Sequence, residues 1–280
     1  MSTSPTISFI GAGNMATAIL GGMLDNGFKA SDVWVSAPDD SHLQAIKKRF
    51  GVSVTTDNRH CAQQADLVIL AVKPQVMRDV CTDIAPVVQN TRPLIASIAA
   101  GLGADTLDNW LGGGLPLVRI MPNTPSLVGR GAAGLFANDQ VSDKQKALVE
   151  SIFSSIGSAL WVEDEAMLHA VTALSGSGPA YFFLILEALE EAATDAGMKA
   201  ETARQLAIQT MAGAAEMAGR SEHEPAQLKR NVMSPGGTTE QAVTTFEEGG
   251  LRALVKKAYT AAFERSQTMA EELAGDSDRD

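Results

Sequence analysis

Two stretches of the chain carry residue types whose order implies chemistry. The first is Gly11-Ala12-Gly13-Asn14-Met15-Ala16, which follows an apolar run ending at Ile10 and opens a helical stretch from Ala16 to Leu24. There Gly11 permits a tight turn, Gly13 lets the backbone approach a pyrophosphate, and Ala16 keeps helix and strand close. Free N–H groups at the helix start, together with its dipole, suit an anion. About twenty residues further on, an NAD site usually places an acid on the ribose 2′-hydroxyl. The chain has Ser36 and Ala37 there, followed by Asp39 and Asp40. Ser36 tolerates a 2′-phosphate, yet no arginine follows to clamp one, and the two acids equally suit the cap of the next helix. The cofactor preference therefore leans to NADPH, with NADH open.

The second stretch is Asn231-Val232-Met233-Ser234-Pro235-Gly236-Gly237-Thr238-Thr239, leading into a helix. Backbone amides from Gly236 to Thr239, with the hydroxyls of Ser234 and Thr239, make a small positive nest fit for a carboxylate, or else an ordinary N-cap with flexible glycines. Between them lie segments that read as strand ends: Ala71-Val72-Lys73-Pro74, Ser97-Ile98-Ala99-Ala100-Gly101 and Met121-Pro122-Asn123-Thr124-Pro125. In an open α/β sheet, such ends converge on the ligand crevice. Leu174-Ser175-Gly176-Ser177-Gly178-Pro179 precedes the most apolar helix, and packing explains it as well as chemistry does.

These residues need elements to position them. Up to residue 163, β-branched runs (Ile7 to Ile10, Val33 to Ser36, Leu67 to Val72, Leu94 to Ile98, Leu117 to Ile120) alternate with amphipathic segments, which predicts a Rossmann-like, doubly wound parallel sheet. From 164 to 280 the pattern is helical: Pro179 to Ala196, Ala200 to Ala218, Thr239 to Glu248 and Leu251 to Leu273. Ala203, Leu206, Ile208, Met211 and Ala215 spread apolar surface round more than one helix face, so an all-α dimerisation domain is expected, with a large monomeric helical core as the alternative. The tail from Gly275 to Asp280 is polar and acidic and is expected to fray.

Composition narrows the partners. The 280 residues carry a net charge of −11, which disfavours nucleic acid and anionic lipid. The longest apolar run, Ala180 to Leu186, falls short of the ~18 residues of a membrane span. Cys61 and Cys81 offer no metal spacing and no disulfide framework, and His42, His60, His169 and His223 are scattered, so no metal centre is expected. The N-terminus lacks the pattern of a secretory signal, and a cytoplasmic location is expected.

Taken together, GAGNMA, AVKP, MPNTP, ALSGSGPAY and above all SPGGTT resemble the pyrroline-5-carboxylate reductase family over nearly the whole chain. The resemblance implies a Rossmann domain, an interlocked helical dimer that is often built into rings of dimers, and imine reduction with NADPH or NADH. It implies a dinucleotide on Ile10 to Asn14, Ala37, Asp39, Asn58, Ala71 to Pro74, Ala99 and Ala100, with substrate on Glu165, Asn231, Thr238 and Thr239. In this reading Thr239 hydrogen-bonds the ring nitrogen and Glu165 offsets its charge. Proton bookkeeping agrees, because reducing a ketone leaves an alkoxide that needs an acid. From Ser175 to Met198 there is neither Lys nor His, only Tyr181 and glutamates, where a β-hydroxyacid dehydrogenase would carry its lysine. A protonated imine already holds its proton. The other alternative is a non-catalytic NAD(P)-sensing protein that keeps the fold.

Overall fold

The computed structural model describes residues 4–275, so the expected frayed tail lies outside the described residues except for Gly275. The elements in chain order are β1 (Ile7–Ile10), α1 (Asn14–Asp25), β2 (Val33–Ser36), α2 (Asp40–Phe50), β3 (Ser53–Thr55), α3 (Asn58–Gln63), β4 (Leu67–Leu70), α4 (Pro74–Thr91), β5 (Leu94–Ser97) and α5 (Ala104–Trp110). They continue with β6 (Leu117–Met121), β7 (Gly131–Ala137), α6 (Asp143–Ser154), β8 (Gly157–Trp161), α7 (Met167–Val171), α8 (Gly178–Asp195), α9 (Ala200–Arg220), α10 (Pro225–Asn231), α11 (Thr238–Glu248) and α12 (Leu251–Gly275).

Among the described residues the strands form one sheet in the order β3-β2-β1-β4-β5-β6-β7-β8. β1, β4 and β5 are buried throughout, as continuous apolar runs covered on both faces must be. Two apolar clusters cover the faces, one built round Phe9, Ile19, Leu43 and Phe153, the other round Ile10, Met77, Ile84 and Leu107.

The sheet is mostly rather than wholly parallel, because β7 runs antiparallel to β6 and β8 then runs parallel to β7. The connection from Pro122 to Arg130 is shorter than the crossover of about a dozen residues that parallel pairing requires. Sequence patterning misses β7 because its residues, Gly-Ala-Ala-Gly-Leu-Phe-Ala, include no β-branched side chain. Sterics explain the small residues: a Cβ on Gly134 would lie 2.7 Å from both γ-carbons of Val171, and one on Gly157 would lie 2.0 Å from the Gly131 carbonyl oxygen.

The chain divides into two compact units, one made of residues up to Ser177 together with those from Ala262 on, the other of Gly178–Ala261. Within the second, α8 and α9 pack on each other, and Arg204 of α9 holds Glu190 of α8 at 2.7 Å. Glu247 at the end of α11 receives Arg252 at 2.7 Å and Lys229 at 3.1 Å, and these two cations, Arg252 first, draw its carboxyl down to about 2. Large apolar side chains of α8 and α9, including Phe182, Phe183, Leu184, Leu206 and Ile208, stand exposed in the single chain. The helical stretch Met167–Asp195 is, by length and composition, apolar enough to cross a membrane, with a mean hydropathy of 1.2 over its best window. Counting uninterrupted runs overlooks this window because residues 175–179 interrupt the apolar sequence ahead of Ala180.

Candidate active site

The strand order brings the ends of β2, β1, β4, β5 and β6 side by side, so the loops after them share one edge. The β1–α1 loop is tied on both sides, Gly11 N donating to the Ser36 carbonyl at 2.9 Å and Ala71 N to the Ile10 carbonyl at 2.8 Å. Gly11 has φ +105°, and a Cβ there would lie 2.6 Å from the carbonyl carbon and oxygen of Ala71. Any other residue strains the turn and collides with backbone.

Gly13 differs. It is the N-cap of α1, no side chain caps the helix, its first turn has no acid, and a Cβ at Gly13 would meet nothing within 4 Å. The first-turn amides, those of Asn14 and Met15 included, thus open onto space with the positive end of a helix dipole behind them, which fits a dinucleotide phosphate.

At the end of β2, Ser36 is fully buried and its hydroxyl donates to Asn58 Oδ1 at 2.8 Å, while Ala37 is buried beside it. Asp39 caps α2: its Oδ1 accepts from Ser41 Oγ at 2.7 Å, Ser41 N at 2.9 Å and His42 N at 3.3 Å. These bonds, the Ser41 hydroxyl foremost, hold its carboxyl below the ordinary carboxylate range. After β4, Ala71 and Val72 are half-buried, Lys73 is the N-cap of α4 and Pro74 opens that helix. After β5, Ala99 is buried and Ala100 half-buried.

Asn123 joins two motifs that the sequence presents separately. Its Nδ2 donates to the Ser175 carbonyl at 3.0 Å and its Oδ1 accepts from Ala132 N at 2.8 Å. The MPNTP loop is thereby fixed to the SGSG segment, where residues Thr172–Gly176 widen into a π-turn. A Cβ on Gly176 would lie 2.6 Å from Met121 Cε, so a larger residue there would displace the end of the Met121 side chain.

Glu165 sits in the first unit. Its Oε1 accepts from Arg119 Nη1 at 2.7 Å and from Ala104 N at 2.6 Å, so it pairs a partly buried cation and caps α5, whose N-cap Gly103 has no side chain. Arg119 is a residue that the sequence reading missed, although a cation inside the apolar strand Leu-Val-Arg-Ile-Met is itself a signal. Its Nε is buried with no hydrogen-bond partner among the described residues. His169 lies near the pair, its Nδ1 2.9 Å from Ser266 Oγ; burial first, then the Arg119 charge, pushes it below its ordinary value, against a smaller pull from Glu165.

In the second unit, Asn231 ends α10 and its Oδ1 accepts from Gln227 Nε2 at 2.7 Å. Ser234, Gly236, Gly237, Thr238 and Thr239 come together at the start of α11. Gly237 N donates to the Ser234 carbonyl at 2.9 Å, Gly236 takes φ +71°, and Gly237 caps the helix without a side chain. Gly236 N donates to Glu240 Oε2 at 2.6 Å. Glu240 also escaped the sequence reading, although a Glu three residues after an N-cap is a known capping signature.

The sheet and its glycine loop define a nicotinamide-dinucleotide oxidoreductase joined to a helical unit. Residues 6–101 match the family model described as NADP oxidoreductase, coenzyme F420-dependent, and residues 165–269 match pyrroline-5-carboxylate reductase dimerisation. The pyrroline-5-carboxylate reductase of Pseudomonas aeruginosa is 48% identical over 271 residues, covering 97% of this chain and 99% of that protein. A solved pyrroline-5-carboxylate reductase from Coxiella burnetii superposes with a TM-score of 0.93 at 45% identity, covering 96% of this chain and 99% of that one. The Plasmodium falciparum pyrroline carboxylate reductase, solved with NADP bound, gives a TM-score of 0.84 at 31% identity, covering 95% and 98%. The chain belongs to the pyrroline-5-carboxylate reductase family. Its activity is the NAD(P)H-dependent reduction of 1-pyrroline-5-carboxylate to L-proline in proline biosynthesis, its N-terminal sheet is an NADP-binding domain, and its helices form a homodimer. The sensor and β-hydroxyacid alternatives give way to this. The apolar helical stretch Met167–Asp195 lies wholly within the dimerisation match.

Proposed function

We propose that the bend Ser234–Thr239 receives the substrate carboxylate and ring nitrogen while the sheet edge holds the reduced dinucleotide. The observation that carries this is the bend itself: Gly236 takes φ +71° and Gly237 caps α11 without a side chain, so that beside the Gly236 amide, which Glu240 Oε2 takes at 2.6 Å, the amides of Thr238 and Thr239 have no side-chain cap. Thr239 gives the hydrogen bond at the ring nitrogen and Asn231 an orienting amide. Glu165 offsets charge through whatever its bonds to Arg119 and Ala104 N leave available, and is the least free of the set. The dinucleotide takes Ile10 to Met15, Ser36, Ala37, Asp39, Asn58, Ala71 to Pro74, Ala99 and Ala100, and supplies a hydride when bound.

The chain's own task is then to position and to exclude water, since a protonated imine brings its own proton. NADPH is the preferred donor, with NADH accepted. The working division is 1–163 for the nucleotide and 164–280 for substrate and dimer, with dimers assembled into rings. The compartment is the cytoplasm; burial raises Cys61 to about 11 and Cys81 to about 12, as suits thiols kept inert and reduced.

The test is loss of NADPH or NADH absorbance with pyrroline-5-carboxylate, with a 2-keto acid as control. Turnover of the imine alone is expected. Thr239→Ala should lower kcat/KM about tenfold, the scale of one hydrogen bond; unchanged kinetics would remove Thr239 from the reaction.

A further inference from the structure

We propose that His42 is the residue that distinguishes NADPH from NADH, by facing the 2′ position of the adenosine ribose. The inference rests on the reading that the dinucleotide lies on Ile10 to Met15. In an open α/β sheet this ribose falls at the end of β2, between the glycine loop and the β2–α2 turn.

On that reading the hydroxyl and the one carboxylate oxygen bonded there contact the dinucleotide without supplying the positive charge that a 2′-phosphate calls for. Ser36 gives its hydroxyl to Asn58 at 2.8 Å, and Asp39 spends Oδ1 on three donors at the start of α2. Asp40 accepts from Gln44 Nε2 at 3.2 Å. Among the cations, Arg59 pairs with Asp83 at 2.8 Å and Arg49 lies over the Phe50 ring, 4.7 Å from its centre. The exposed side chain of His42 instead crosses from α2 to the glycine loop, its Nε2 lying 2.7 Å from the Ala12 carbonyl oxygen.

That contact fixes the ring. A carbonyl only accepts, so Nε2 carries the hydrogen, and Nδ1 holds a lone pair in the neutral ring and an N–H in the cation. Neutral, it can accept from a ribose hydroxyl; charged, it donates to a 2′-phosphate with a full opposite charge. The histidine thus supplies the cation missing after β2 while tolerating the unphosphorylated cofactor. Asp39 is the charged group acting on it from its own turn, and residues 11–15, which it faces, include no titratable side chain.

The experiment measures kcat/KM for NADPH and for NADH with pyrroline-5-carboxylate in wild type, His42→Gln and His42→Arg. His42→Gln should cut the wild-type preference for NADPH about tenfold, and His42→Arg should keep it. Fluorescence titration with NADP+ and NAD+ reads the same ratio without turnover. Equal ratios in wild type and His42→Gln would overturn the role of His42. A wild type that binds neither nucleotide would instead overturn the placement on the glycine loop.

Discussion

The glycines of the first loop do different work, and substitution separates them. At Gly11 a side chain meets the Ala71 carbonyl at 2.6 Å with φ at +105°, so Gly11→Ala should cost about 3 kcal/mol of stability, read by urea unfolding. At Gly13 a methyl meets nothing within 4 Å of protein. Gly13→Ala should therefore fold with a loss under about 1 kcal/mol, the scale of an altered N-cap, yet raise the KM for NADPH several-fold because the methyl stands where phosphate must approach. Comparable unfolding curves with unchanged cofactor KM would refute the placement of the pyrophosphate.

Among the elements, the pair Arg119–Glu165 joins β6, the segment before α7 and the start of α5, directly after the Ala99–Ala100 loop. Arg119→Met leaves the carboxylate facing a half-buried site without its cation, which should cost about 2 kcal/mol. Adding Glu165→Gln should restore part of that; a double variant as unstable as the sum of the singles would show the two residues to be uncoupled. These elements also show how far the residues alone could be read. β1, β2, β4, β5 and β6 announce themselves as short apolar runs, and α8, α9, α11 and α12 as Ala- and Leu-rich stretches, because burial on two faces and helix propensity are local properties. β7 is opaque, since close packing on Val171 and against Gly157 demands small residues that carry no strand signal, and β8 shares that demand only at Gly157, the rest of it being a short Ser-Ala-Leu-Trp run. At the site, the glycine loop and the SPGGTT bend were legible from backbone needs. His42, Arg119 and Glu240 were not singled out, because each acts on a group that only the fold or a helix cap brings within reach.

For the whole molecule, the exposed apolar faces of α8 and α9 predict that dimer and fold are linked. Phe183 is 64% exposed in the single chain, and Phe183→Asp should convert the dimer to monomer in sedimentation velocity, with loss of thermal stability. An intact dimer would move the interface elsewhere. Stability should also depend on His169. Burial and Arg119 lower its folded value below the 6.5 of a free histidine, so its contribution is complete above pH 6.5 and fades as the pH falls towards the folded value. Wild type should thus lose Tm between pH 7 and 5, and His169→Gln should lose less; parallel losses would exclude the histidine.

The path of the chain carries one more consequence. Having completed all the strands by Trp161, it leaves the first unit at Ser177 and comes back at Ala262, where Ser266 meets His169 and Leu273 lies against Gly101 and the core beside it. A stop codon near residue 261 would spare the whole sheet and every glycine of the loop, yet the ribosome would release a nucleotide half still waiting for its last strap. Such late truncations should therefore behave as unstable, protease-sensitive proteins rather than as well-folded monomers, and a carboxy-terminal fusion is the riskier place for a tag.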